Sequence, residues 1–207
     1  VFLDTVQYLP KEWMNRNLIK TSDGKTIYLT VPVIKKNFLN MKSNQILINN
    51  SLPWKRKHLK RIEMNYKRTK YFENYIDLFR EIYIQDWVYL SDLNLHILKT
   101  FLKILKIDKE IITLSELNLE GKKSELIINM CKKLNAQIFI FGEQGTNYAD
   151  ANKFEKNNIN IVFQKYKHPI YQQTGKKFIS HLSVLDLIFN CGENSSDIIN
   201  DYNNKII

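Results

Sequence analysis

Between Glu110 and Tyr166 the chain alternates strand, helix and strand, and this rhythm constrains the fold more than any other feature. "EIITLS" (Glu110 to Ser115) is a short β-branched run, and "KKSELIINMCKKLNA" carries a helical apolar period. "QIFIFG" (Gln137 to Gly142) is an apolar run ending in a glycine loop. A short helix and then "INIVFQKY" (Ile159 to Tyr166) follow. Strands separated by helices predict parallel pairing through crossovers. The expected fold class is therefore α/β, a parallel, Rossmann-like layered sheet flanked by helices. The opening "VFLD" reads as a further buried strand presenting Asp4 at its C-terminal end.

Ahead of this region the pattern differs. "TIYLTVPV" (Thr26 to Val33) alternates after the turn "SDGK", and "NQILIN" (Asn44 to Asn49) is a second candidate strand that would pair with it. A helical insertion over about residues 51–106 follows. Ser51 is placed as N-cap with Pro53 in the first turn, and Trp54, His58, Leu59, Ile62 and Tyr66 fall at helical spacing. Two more helices are expected over 71–83 and 87–105, the second with an apolar stripe from Leu90 to Leu105. The last strong helix is "LSVLDLIFNCG", stopped by Gly192. No repeat or Pro-, Gly- or Ser-rich linker interrupts the chain, so one domain over 1–207 is expected.

The chain carries 31 Lys and Arg against 21 Asp and Glu, a net charge of +10. That excess suits a phosphorylated ligand, an anionic surface or nucleic acid, but Lys, Asn and Ile are abundant throughout, as in "FEKNNINI". No RNA-binding or helix-turn-helix signature accompanies the charge, so no nucleic-acid partner is expected. No apolar run approaches a membrane span. Cys131 and Cys191 form neither a disulfide framework nor a zinc motif, and no metal site is expected. A reducing cytoplasm fits. The chain begins on a strand already under way, so a segment upstream of Val1 is expected.

Several side chains suit chemistry in ligand-side positions. His168, in "YKHPIYQQ", precedes Pro169, which biases it to an extended backbone, and a histidine held there suits a general base. A structural histidine is the alternative. Asp4 is a second catalytic candidate, because an unpaired buried carboxylate is costly. Asn15, Arg16, Asn17 and Lys20 form a dense donor cluster, with Arg16 able to hold phosphate or carboxylate bidentately, or else a solvated turn. Gly142 and Gly145 suit an anion-cradling loop with Tyr148 nearby. Gln7, His58, Lys123 and Tyr171 complete the substrate-binding set, and Asp186 with Asn190 reads as part of a capped core helix. The central expectation is that Asp4, Arg16, His168 and the Gly142–Gly145 turn line a single cavity at the sheet's carboxyl rim.

The segments "VFLDTVQY", "WMNRNLIKT" with "YLTVPV", "PWKRKHL", "LEGKKSE", "IFGEQGTNY", "YKHPIYQQ" and "FISHLSVLDLIFNCG" together resemble the WbqC-like family, in that family's order. The family's opening segment resembles "HQPNYLPWxGYF", expected ahead of Val1. The resemblance implies a bacterial enzyme of O-antigen or other surface-polysaccharide biosynthesis that transfers a glycyl or other acyl group onto an amino sugar. A nucleotide-linked amino sugar is then the expected partner. The acyl donor is open between a thioester, on coenzyme A or an acyl carrier protein, and an ATP-activated acid. An ATP-dependent ligase or nucleotidyltransferase, and a nucleic-acid-binding module, are the competing readings.

Overall fold

A computed structural model describes residues 1–36, 38–147, 149–175 and 177–203. The elements in chain order are β1 (Arg16–Lys20), β2 (Thr26–Thr30), α1 (Trp54–Tyr66), α2 (Phe72–Ile84), α3 (Leu90–Ile104), α4 (Leu114–Leu117), α5 (Ser124–Lys133), β3 (Ile138–Phe141), α6 (Ala151–Glu155), β4 (Asn160–Phe163), α7 (Val184–Cys191) and α8 (Ser195–Asn203). They fall into two compact units. The larger holds the described residues of 4–110 and 168–199, and the smaller holds those of 1–3, 111–167 and 200–203.

In the larger unit β1 and β2 form an antiparallel hairpin from Arg16↔Thr30 to Lys20↔Thr26. Its turn closes by Thr21 N–H donating to the Lys25 carbonyl, with Gly24 at φ 82°. The three helices expected over 51–106 are α1, α2 and α3, in the same unit as the hairpin. Each buries residues three or four apart, as a helix with one apolar face must. Trp54, His58, Ile62 and Tyr66 do so in α1, and Phe72, Ile76, Phe79 and Ile82 in α2. Helix α7 is buried almost all round, through Leu185, Asp186, Leu187, Ile188, Phe189 and Cys191. The Phe189 ring lies 5.4 Å from Tyr66, 5.3 Å from Phe72 and 5.2 Å from Phe79, so one side chain joins α1, α2 and α7.

Gly192 ends α7 at φ 58° and ψ −129°, a conformation L side chains rarely adopt. A Cβ there would sit 2.5 Å from the Tyr71 ring. Gly192→Ala is therefore expected to cost about 2–3 kcal/mol, from backbone strain plus overpacking. A lowered urea midpoint of the full chain would register it; an unchanged midpoint would contradict it.

In the smaller unit β3 and β4 pair in parallel, Ile138↔Asn160 to Phe141↔Phe163, so the chain between them, including α6, is a crossover. Phe141, Phe154, Ile128, Cys131 and Ile159 form its core, which makes Cys131 a core thiol.

The protein is thus mixed helix and strand, and among the described residues its sheets are two separate pairs, one of them parallel. Other expected strands contribute single bridges. Phe2 bridges Thr113 in parallel, and Val33 bridges Ile48 antiparallel. At 110–115 a helix start displaced the strand. Glu116 N–H donates to the Thr113 hydroxyl and Thr113 N–H to the Glu116 carboxylate, a capping box that opens α4. At 43–45 a 3₁₀ turn replaces the start of "NQILIN". Ser51 does not cap α1: Pro53 holds that position, and the Ser51 hydroxyl donates to Asn49 Oδ1. Strand β1 carries no alternating signal, because Ile19 and Lys20 are buried in succession. Among the described residues no helix is long and apolar enough to cross a membrane.

Candidate functional site

Helix α7 sets a carboxylate, Asp186, 1% exposed, into an otherwise apolar helix, and burying it requires hydrogen-bond partners. Tyr66 of α1 donates its hydroxyl to Asp186 Oδ1 at 2.9 Å, and Tyr171 donates to Oδ2 at 2.8 Å. The Tyr66 hydroxyl in turn accepts the backbone N–H of Lys20 at 3.0 Å. Lys20 is itself 4% exposed, and its ammonium donates to Gln173 Oε1 at 3.2 Å and to the Lys177 carbonyl. Gln173 also accepts from Ile179 N–H and donates to its carbonyl. Asn190, one turn beyond Asp186, accepts from Thr174 N–H at 3.1 Å. The loop 171–179 is therefore clipped to β1, α1 and α7 through polar side chains. Burial pushes the Asp186 carboxyl above its ordinary range, against the two tyrosine hydrogen bonds and the Lys20 charge. Burial and Asp186 together push Tyr66 and Tyr171 far up, so both remain hydroxyl donors.

His168 stands at the start of this loop. Its Nδ1 lies 2.8 Å from the Pro169 carbonyl. A carbonyl only accepts, so Nδ1 carries the proton and the lone pair of the neutral ring lies on Nε2. The ring centroid is 4.9 Å from His181, 6.0 Å from Phe178 and 6.3 Å from Tyr171. Burial, and less so the neighbouring His181, hold His168 below the usual histidine range, while the Pro169 hydrogen bond and the Asp186 charge pull it back up. The net effect keeps the imidazole neutral near pH 7.

The larger unit also contains two cavities that share Asn15 and Arg16. One, of about 150 Å³, is lined by Asn15, Arg16, Asn17, His58, Ser183 and Leu185 among others. The second is a groove of about 1080 Å³. Asn15 Nδ2 donates to the Val31 carbonyl at 2.9 Å, and Asn17 Oδ1 accepts from Leu18 N–H at 2.8 Å. Arg16 stacks its guanidinium 4.5 Å from the Tyr28 ring centroid and donates from Nη2 to the Lys11 carbonyl.

His58 is the buried histidine of the first cavity. Its Nε2–H donates to the Thr30 carbonyl at 3.0 Å, and its ring meets Trp54 and Tyr83 edge to face. Burial lowers its pKa from 6.5 to about 4. Between those values the unfolded chain binds the proton more tightly, so stability is full above pH 6.5 and falls as pH drops toward 4. The loss attributable to His58 is expected to reach about 3 kcal/mol at the acid end. Urea titrations from pH 7 to pH 4 should show a steeper decline in the wild type than in His58→Gln; parallel curves would refute it.

A family description of WbqC-like proteins matches residues 1–198 of the chain. This chain belongs to the WbqC-like protein family. It is also similar to an uncharacterized protein of Mycobacterium tuberculosis, 29% identical over 201 residues, which covers 96% of this chain and 86% of that protein. No solved structure matches it.

In this WbqC-like protein the sequence-predicted residues separate into groups. Lys20, His168 and Tyr171 meet around Asp186. Asn15, Arg16, Asn17 and His58 line the small cavity, which His168 does not line. Asp4 does not end a strand of a wide sheet. It lies in a turn, 7% exposed, and its carbonyl accepts from Asn44 N–H at 2.7 Å and the Ser43 hydroxyl at 2.6 Å. Exposed Gln7 bridges Lys42 beside the same turn. Among the described residues each sheet has two strands, so no wide sheet supplies a carboxyl rim to gather Asp4, Arg16 and His168.

Gly142, Gly145 and Lys123 belong to the smaller unit. The Gly145 amide is already used, donating to the Gly142 carbonyl at 2.9 Å, and a Cβ there would lie 2.5 Å from Phe141. Close packing thus accounts for this glycine without an anion. Exposed Lys123 precedes α5 at φ 52°. Tyr148 lies outside the described residues. Asp186, Tyr66 and Gln173 join the site from outside the sequence-predicted set. The available signal was a carboxylate inside "LSVLDLIFNCG", the one charged group in a helix otherwise apolar enough to be buried all round.

Proposed function

We propose that this WbqC-like protein is a transferase that places an acyl or aminoacyl group, of the glycyl type, on the amine of a nucleotide-linked amino sugar, in the cytoplasmic steps of surface-polysaccharide biosynthesis. The observation that carries the reading is His168, whose Nδ1–H is held by the Pro169 carbonyl so that Nε2 accepts a proton, beside a buried carboxylate. Family membership supports it.

With a thioester donor, the sugar amine attacks the acyl carbon and a C–N bond forms. The amine proton passes to His168 Nε2, the C–S bond breaks, and the departing thiolate takes the proton from the imidazolium. Asp186 steadies the transient positive charge on the ring through space, and Lys20, Gln173 and Tyr171 hold the loop that carries it.

The test incubates the full chain with 3-amino and 4-amino sugar nucleotides and a panel of acyl thioesters, with a parallel arm of glycine, ATP and magnesium. Mass spectrometry reads the acylated sugar. Amide product in the thioester arm supports the reading. Product only in the ATP arm replaces the thioester donor by an activated acid, and no product in either arm overturns the transfer.

A further inference from the structure

His168 does not line the groove of about 1080 Å³, yet the groove has the make-up of a ligand site. Lys11, Arg16 and Lys35 line it, and its described lining contains no Asp or Glu. Three cations converging on a concavity without a countercharge favour an anion. Arg16 adds a more specific sign. Its Nε is buried and has no hydrogen-bond partner among the described residues, although the stack on Tyr28 and the Lys11 carbonyl already position the guanidinium. A buried donor on a permanent cation, left unpaired, is an uncommon expense for a fold to carry. A phosphate oxygen is the partner a guanidinium fork matches best.

The rest of the wall is apolar. Tyr8, Phe38, Ile34 and Leu52 contribute to it, the last two 44% and 50% exposed at the rim. Asn15 and Asn49 supply polar points. Small-molecule sites commonly enclose about 300–1000 Å³, so the groove is large enough for a ligand with both an anionic centre and a planar body. An inorganic anion would leave the apolar wall unused, and a purely apolar ligand would leave three cations unmatched.

We propose that this groove binds a nucleoside diphosphate group, with the diphosphate on Arg16, Lys11 and Lys35 and the nucleoside against Phe38, Ile34 and Leu52. Both reactants considered above contain that group: the nucleotide-linked sugar and coenzyme A. Only the choice between them rests on the transfer reading.

The experiment is calorimetric titration of the full chain with uridine 5′-diphosphate, inorganic pyrophosphate and uridine, followed by competition with UDP-N-acetylglucosamine and with coenzyme A. Saturable binding of the diphosphate nucleoside is expected, at least tenfold tighter than either fragment. Arg16→Gln, checked for folding by circular dichroism, should weaken it at least tenfold. The double variant Lys11→Glu/Lys35→Glu changes only exposed side chains and should do the same. Competition by the sugar nucleotide assigns the groove to the acceptor, and competition by coenzyme A assigns it to the donor. No saturation at millimolar concentration, pyrophosphate binding as tightly as the nucleotide, an unchanged Kd in both variants, or no competition by either compound would each overturn the proposal. Binding is read without turnover. A chain that binds the nucleotide and transfers nothing loses the transfer reading and keeps the groove. Transfer with a KM untouched by the lysine reversals does the opposite.

Discussion

Replacing His168 by glutamine is expected to lower kcat for acyl transfer by about 10²–10⁴-fold, the usual worth of a positioned general base. Glutamine keeps a polar side chain of similar length but takes up no proton near neutral pH. His168 is only partly buried, and its Nδ1 hydrogen bond goes to its own neighbour, Pro169, so the fold should survive. A base must be unprotonated to act. Because burial holds His168 below the ordinary histidine value of 6.5, kcat/KM should be flat through neutrality and fall only on the acid side of 6.5. Stopped assays from pH 5 to pH 8.5 would show that limb in the wild type and not in the variant's residual rate. A variant with wild-type turnover, or an acid limb unaffected by the substitution, would remove His168 from the chemistry.

Asp186→Ala should destabilise the larger unit by about 3–4 kcal/mol. The change strands the hydroxyls of buried Tyr66 and half-buried Tyr171, each aimed at a carboxylate oxygen, and it leaves the Lys20 charge without its counterpart. Orphaned buried groups cost about 1–3 kcal/mol apiece, and the relieved desolvation of the carboxylate offsets part of the sum. In a chain of this length the melting temperature would fall by roughly 10 °C. Asp186→Asn keeps the shape and one acceptor, and should lose less than half as much. The control is Asp86→Ala: that carboxylate is fully exposed in its ion pair with Lys55, and its loss should change stability by under about 0.5 kcal/mol. Equal effects at Asp186 and Asp86 would show that the buried network contributes nothing.

His168 and Asp186 differ in how far the sequence announces them. "YKHPIYQQ" marks His168 through the proline that follows it, a local signal, and the structure adds which ring nitrogen holds the proton. Asp186 looked like an ordinary member of a capped helix. The two tyrosines that donate to it, Tyr66 and Tyr171, and Lys20, linked to Tyr171 through Gln173, are separated from it by 15 to more than 100 positions along the chain. Pattern reading along the chain has no access to such separations. The same holds for Gly145. Its place after an apolar strand looked like an anion loop, and only the neighbouring Phe141 ring shows that packing already demands a glycine.

The helices were legible because an amphipathic period is written within one segment: α1, α2, α3, α5 and α7 all fall where apolar residues recur three and four apart. Family membership was legible too, carried by short segments in a fixed order. Strand partnership was not. A β-strand is completed by a neighbour distant in sequence, so the same apolar run pairs as β3 with β4, reduces to a single bridge at Thr113, or yields to a capping box. Composition and periodicity thus decided which segments are helical and which chemistry-bearing residues exist. Which of those residues meet, at Asp186 or along the Arg16 groove, was decided by tertiary packing, because burial energy is set by what surrounds a group and not by its neighbours along the chain.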